Sequence, residues 1–260
     1  MAPKPSIDAQ IPYLKILTAQ REPASEICAV GLFSNLLPQL KGSQFPESEE
    51  ELIIKARVPD LKCWRNLGRA GCLALLHYEP IKEVVNSLRV DPRRIGIYTS
   101  IGTGSLNWNS ILELTKTHPE NFASTMRKSL PPKQIFKYGV NIPAAQLGIF
   151  LGVTGPHYSF QDWNSQTSNA LSQAISDLLT QTVDLAIAIA AYSLDDPLQN
   201  MRVSESLPKG TLVSEATACV VFDRKSLDVI TTAEGKMGRS PYYYGTADSL
   251  AGKLALLTHE

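Results

Sequence analysis

Few side chains in this 260-residue chain could do chemistry, and their spacing narrows the choice quickly. Cys28, Cys63, Cys72 and Cys219 are scattered, with no Cys-x-x-Cys pair. None sits in a His or Asp arrangement that would mark a thiolate nucleophile. Gly102-Thr103-Gly104 could suggest a phosphate cradle, but it lacks the third glycine of a dinucleotide fingerprint and the lysine of a P-loop. The most informative position is Asn164, in the run Gln161-Asp162-Trp163-Asn164 that precedes a helical pattern. A carboxamide is not a nucleophile of the kind that forms a covalent intermediate. Asn is, however, among the preferred helix N-cap residues, able to satisfy free amides at a helix start. Asp162 is the one carboxylate in residues 161–164 that could serve as a base.

Those side chains must be positioned by a globular scaffold. A hydrophobic share of 43% is enough for a substantial core in a chain of this length. Lys+Arg of 25 balance Asp+Glu of 25, which excludes a nucleic-acid binder relying on a strongly basic surface. Buried thiols in a reducing cytosol are the expectation for four unpaired cysteines. The N-terminal MAPKPSIDAQIPYLK lacks the apolar core of a signal peptide. The longest apolar run, Leu185 to Ala191, is too short to cross a bilayer.

Pro3, Pro5, Pro12 and Pro23 suggest an N-terminal arm over 1–26, followed by one domain over 27–260. Ile27 to Phe33 reads as a first strand ending at Ser34-Asn35, and Pro46–Glu51 as a loop. A helical pattern over 62–88 restarts near Pro80. Arg94 to Ile101 reads as a strand, Asn107 to Lys116 as a helix, and 117–140 as irregular with a bend at Pro131-Pro132. Asn141 can cap the next helix, with Pro143 in its first turn. Ala170, Leu171, Ala174, Ile175, Leu178 and Leu179 form one apolar helical face. Val183 to Ala191 is a strand of the central, fully buried type. Val213 to Asp223 and Leu227 to Ala233 read as a hairpin across Arg224-Lys225-Ser226, and Thr246 to Leu257 as a last helix.

Several of these segments carry a resemblance. The stretch NIPAAQLGIFLGVTGPHYSFQDWNSQTSN (141–169) resembles the nucleophile segment of the β-ketoacyl synthases, with Asn-x-Pro-Ala-Ala at Asn141 and Gly155-Pro156-x-Tyr158-Ser159 ahead of the turn. DPRRIGIYTSIGTG (91–104) and Ser214-Glu215-Ala216 resemble two further segments of that family, with Ala216 where it has glycine. The resemblance implies an α/β thiolase-like fold, N-terminal half only, with a mixed, mostly parallel sheet and helices on both faces. It puts Asn164 at the position of the family's catalytic cysteine and Trp163 where a thioester would sit, and it gives Glu215 and Asn141 structural roles. The family's second half carries histidine motifs that His77, His118, His157 and His259 do not match before the sequence given stops at Glu260.

The implied function is a non-catalytic chain-length factor of the aryl-polyene type. It would pair in the cytoplasm with a complete β-ketoacyl synthase, meet an acyl carrier protein through that complex, and use no cofactor or metal. Trp108, Ile111, Leu112, Gln134 and Phe136 are then candidates to line the acyl tunnel. Tyr158, Phe160, Gln161, Asp162, Trp163 and Asn164 are candidates for the interface. Two alternatives stay open: a diverged acyl-processing enzyme using Asp162, or a scaffold that only stabilises the ketosynthase.

Overall fold

Residues 185–192 alternate large and small, Leu-Ala-Ile-Ala-Ile-Ala-Ala-Tyr, and all eight are buried. Such a strand must be covered on both faces. The computed structural model describes residues 67–101, 108–130, 139–160, 168–193 and 215–227, with the short strands 15–19, 33–35, 212–213 and 242–243. In chain order the elements are β1 (Lys15–Ala19), β2 (Phe33–Asn35), α1 (Arg69–Leu75), α2 (Tyr78–Leu88), β3 (Ile95–Ile101), α3 (Trp108–Lys116) and α4 (Phe122–Ser129). They continue as α5 (Ile142–Leu151), β4 (His157–Phe160), α6 (Ser168–Leu179), β5 (Leu185–Tyr192), β6 (Leu212–Val213), β7 (Glu215–Asp223) and β8 (Tyr242–Tyr243).

The main sheet runs β1-β7-β5-β3-β4, with β2 also on β7, and β6 pairs with β8 separately. Strands β4, β3 and β5 are mutually parallel. Strand β7 runs against β5, β1 and β2, so five of the six strands point one way. This is the expected mixed, mostly parallel sheet.

Leu185, Ile187 and Ile189 of β5 share one face with Ile95, Ile97 and Ile101 of β3 and Cys219 and Val221 of β7, packing against α1, α2 and α5. Alanines 186, 188 and 190 face the other way, and their small size lets α6 lie on β3 and β5. Ala170, Leu171, Ala174 and Leu178 of α6 are buried there, whereas Leu179 is exposed.

Local sequence explains the element ends. The helical pattern over 62–88 breaks at Leu76-His77, giving α1 and α2, with Pro80 in the first turn of α2 where a missing N–H costs nothing. Helix α5 ends at Gly152, whose φ of 67° is left-handed. Val153 N–H reaches Gly148 O at 2.9 Å and Gly152 N–H reaches Ile149 O at 3.3 Å, the paired bonds of a Schellman end. The chain then lies on the start of β3, with Thr154 and Gly155 N–H both on Pro92 O at 3.0 and 3.1 Å. A Cβ on Gly155 would strike the Ile95 carbonyl and approach Arg93 O at 2.9 Å, so only glycine fits before Pro156.

Four expectations are corrected. Residues 117–140 are not all irregular: α4 forms over 122–129 and packs on α3, its Phe122 and Met126 exposed, so no buried stripe announces it. Asn141 stands at the N-cap of α5, but its side chain makes no capping bond. Its backbone is already helical (φ −85°, ψ −14°), and Pro143 has removed one of the N–H groups a cap would serve. The 1–26 arm contributes β1 to the sheet, so the domain takes in part of it. Strand β7 finds its partners in β5, β1 and β2; after the turn at 224–226 Leu227 is helical rather than the start of a return strand, and 228–233 lie outside the described residues. So do 27–32 and 246–257.

His77, between α1 and α2, is buried, and its Nε2 lies 3.1 Å from Thr217 Oγ1. Thr217 Oγ1 donates to Ala190 O at 3.1 Å, so it accepts from His77 and fixes the proton on Nε2. Burial lowers the imidazole pKa to about 3.

Two tests follow. Gly155→Ala should destabilise by about 1–3 kcal/mol in urea unfolding, because rigid backbone blocks the added methyl. Gly152→Ala, where nothing lies near the added Cβ, should lose only about 1–2 kcal/mol of left-handed strain. The folded state excludes a proton from His77 that the unfolded chain accepts. Stability should therefore be full above about pH 6.5 and fall by about 1.4 kcal/mol per pH unit below it, until about pH 3. His77→Gln should remove that component from a pH series of unfolding midpoints.

Candidate functional site

Parallel strands gather their carboxyl ends on one edge, where open α/β sheets bind ligands. Ser100 of β3 stands opposite Phe160 of β4 and Ala190 of β5. Strands β3 and β4 therefore end side by side; residues 102–107 and 161–167, which follow them in sequence, lie outside the described residues. Strand β7 enters at the same edge, since Tyr192 pairs with Ala216, next to Glu215. The topology thus brings the ends of β3, β4 and β5 and the start of β7 to one edge of the sheet. Ser100 Oγ is buried there, the one fully buried side-chain oxygen or nitrogen among the described residues without a hydrogen-bond partner.

Among the described residues β4 has β3 as its only neighbour, so it is the outermost described strand of the sheet. Tyr158 is 38% exposed on this strand, and its ring stacks on Tyr98 with centroids 5.6 Å apart and planes 11° from parallel. Behind that stack Tyr98 is fully buried and donates to Asp177 Oδ2 of α6 at 2.8 Å. Gln173 Nε2, one turn earlier, donates to Asp177 Oδ1 at 2.8 Å. Burial, then the hydrogen bond to Asp177, holds the Tyr98 phenol protonated well above its usual range. A continuous line of contacts thus runs from the exposed edge to the helix that follows residues 161–167. On the β4 face toward α5, His157 rests its ring over Gly148, where a Cβ would overlap it. Thr99 Oγ1 and Ser159 Oγ meet at 2.9 Å on the same strand pair.

The far end of β3 is fastened as well. Arg94 donates from Nε and Nη2 to the two Asp184 carboxylate oxygens, both at 2.6 Å, and from Nη2 to Gln181 O at 2.9 Å. Those hydrogen bonds hold the Asp184 carboxyl below its ordinary pKa. Gln181 has a left-handed φ of 59°, so the clamp fixes the turn from α6 into β5.

The expected site residues divide between described and undescribed positions. Tyr158 and Phe160 lie on the edge strand, and Ile111 is half-buried in α3. Trp108 and Leu112 are in α3 and Glu215 in β7, with side chains outside the described set. Gln134, Phe136, Gln161, Asp162, Trp163 and Asn164 lie outside the described residues. Sequence reasoning missed the Tyr98–Asp177–Gln173 group, although Asp177 sits on the otherwise apolar face of α6. Cys72 and Cys219 are buried, and burial pushes the Cys219 thiol pKa well up. No three His, Cys, Asp or Glu side chains gather as metal ligands among the described residues, and no described helix is long and apolar enough to cross a membrane.

No protein-family model matches the chain, and none of the curated proteins does. Solved structures do. A chain of AntDE:AntF, a type II PKS acyl-carrier protein in complex with its ketosynthase, superposes with a TM-score of 0.52 at 15% identity, over 72% of this chain and 54% of that one. The ishigamide ketosynthase/chain length factor gives 0.49 at 13% identity, over 66% and 48%. The ketosynthase ApeO in complex with its chain length factor ApeC from Xenorhabdus doucetiae gives 0.46 at 17%, over 74% and 50%. The last two superpose too loosely to carry an argument. This chain spans about half the length of the structures it resembles. At this identity the likeness is one of fold: the chain has the thiolase-like α/β fold of the ketosynthases.

Proposed function

We propose that the chain is a non-catalytic, chain-length-factor-like subunit that pairs with a complete β-ketoacyl synthase in a type II polyketide or fatty-acid-like pathway. What supports this reading is Asn164, four residues beyond the end of β4, at the position where the sequence resemblance puts the family's nucleophilic cysteine. A carboxamide does not take up an acyl group as a thiolate does. The open edge of β4, with Tyr158 and Phe160, supports pairing there, and residues 161–164 complete the proposed contact. An acyl carrier protein would deliver the growing chain to the partner's cysteine. Trp108, Ile111, Leu112, Gln134 and Phe136 would bound the tunnel and stop the chain by overlap. Glu215 keeps a structural role in this reading, at the same sheet edge.

Two measurements test the proposal. Incubated with acyl and malonyl carrier proteins, the chain should show no covalent acyl adduct by mass spectrometry; an acylated peptide spanning 161–169 would favour a diverged enzyme instead. Trp108→Ala or Phe136→Ala in the reconstituted pair should lengthen the products, each further buried methylene contributing about 0.8 kcal/mol. Unchanged product length from intact complexes of both variants would leave only a stabilising role.

A further inference from the structure

Pairing at the β4 edge would cover an ionisable side chain that the proposed function does not use. His157 begins β4 opposite Ile97 of β3 and turns toward α5, where its ring occupies the space left by the missing side chain of Gly148. Ile149, the next residue along α5, is 70% exposed, and His157 itself is exposed on β4.

The groups that could offset a charge on this ring are few. Helix α5, Ile142-Pro-Ala-Ala-Gln-Leu-Gly-Ile-Phe-Leu151, has no titratable residue. On β3 the titratable residue is Tyr98, which faces α6 and is bonded to Asp177. Arg93 and Arg94, just before β3, are engaged with Asp91 and Asp184. On β4 itself the other ionisable group is Tyr158, which alternates to the opposite face and stacks on Tyr98. Among the described residues, therefore, no carboxylate faces His157. Partial burial already lowers its pKa in the free chain, the expected sign for a ring with no anionic neighbour.

Resting on the reading that β4 is the docking edge, we propose that His157 makes this pairing pH-sensitive, so that the edge closes on a neutral imidazole and is loosened when the ring takes a proton. A partner strand laid along β4 removes water from the ring. A cation there loses its hydration without gaining a counter-charge from this chain. Binding then releases a proton, and association strengthens with rising pH. The window lies below about pH 6.5, between the titration of His157 in the free chain and its lower titration in the complex. Within it the dissociation constant changes by up to about tenfold per pH unit.

The experiment measures the dissociation constant of this chain with a complete β-ketoacyl synthase from pH 5 to pH 8, for wild type, His157→Gln and His157→Asn. The expected result is tight binding at pH 8, a progressive loss of up to about tenfold by pH 5.5 in wild type, and a flattened profile in both variants. In parallel, the His157 Cε1 proton should titrate below pH 6.5 in the free chain and lower still in the complex. A complex whose wild-type affinity is independent of pH, or whose slope survives in both variants, overturns the inference and leaves the pairing standing. No complex at any pH overturns the pairing, and the switch with it.

Discussion

The alternation of large and small side chains along β5 is the constraint on which the rest depends. Leu185, Ile187 and Ile189 fill one side, where α1, α2 and α5 pack. Alanines 186, 188 and 190 leave the other side shallow, and α6 settles onto it. A strand of uniformly large residues would push α6 outward and draw Tyr98 away from Asp177. Arg94 fixes the opposite end by clamping the turn at Gln181 to the start of β3.

The sheet order also decides where a partner could be received. Strand β7 and its neighbours β1 and β2 close one side of β5, and β3 closes the other, leaving β4 outermost among the described strands. The contact Ile97 N–H to Pro156 O, at 2.9 Å, begins the parallel β3–β4 ladder. By the alternation of such a ladder, the N–H groups of His157 and Ser159 turn outward. An edge of this kind invites another strand, and Tyr158 and Ile149 add apolar surface beside it.

Much of this frame was legible in the sequence, for reasons that differ by element. Strands β3 and β5 were visible because buried parallel strands read as short apolar runs. Helix α6 was visible because its apolar face repeats at three to four residues. Helix α4 was not, since Phe122 and Met126 are exposed and its neighbour α3 is touched without a buried stripe. The capping role assigned to Asn141 failed on a detail that composition does not carry, namely the helical backbone before Pro143. At the candidate site, Gly155-Pro156 was a motif whose cause only the structure supplies: the Ile95 carbonyl beneath the glycine. The Tyr98–Asp177 bond spans 79 residues and the His77–Thr217 bond spans 140, so neither partner could be named from local pattern.

The central claim is that this chain works by joining another protein along β4. Hydrogen–deuterium exchange of the backbone amides tests it most directly, comparing the chain alone with the chain mixed with a complete β-ketoacyl synthase. The account requires slowed exchange at His157 and Ser159, whose N–H groups face outward in the free chain. Protection confined to other surfaces, such as α4, with 157–160 exchanging as before, would contradict it.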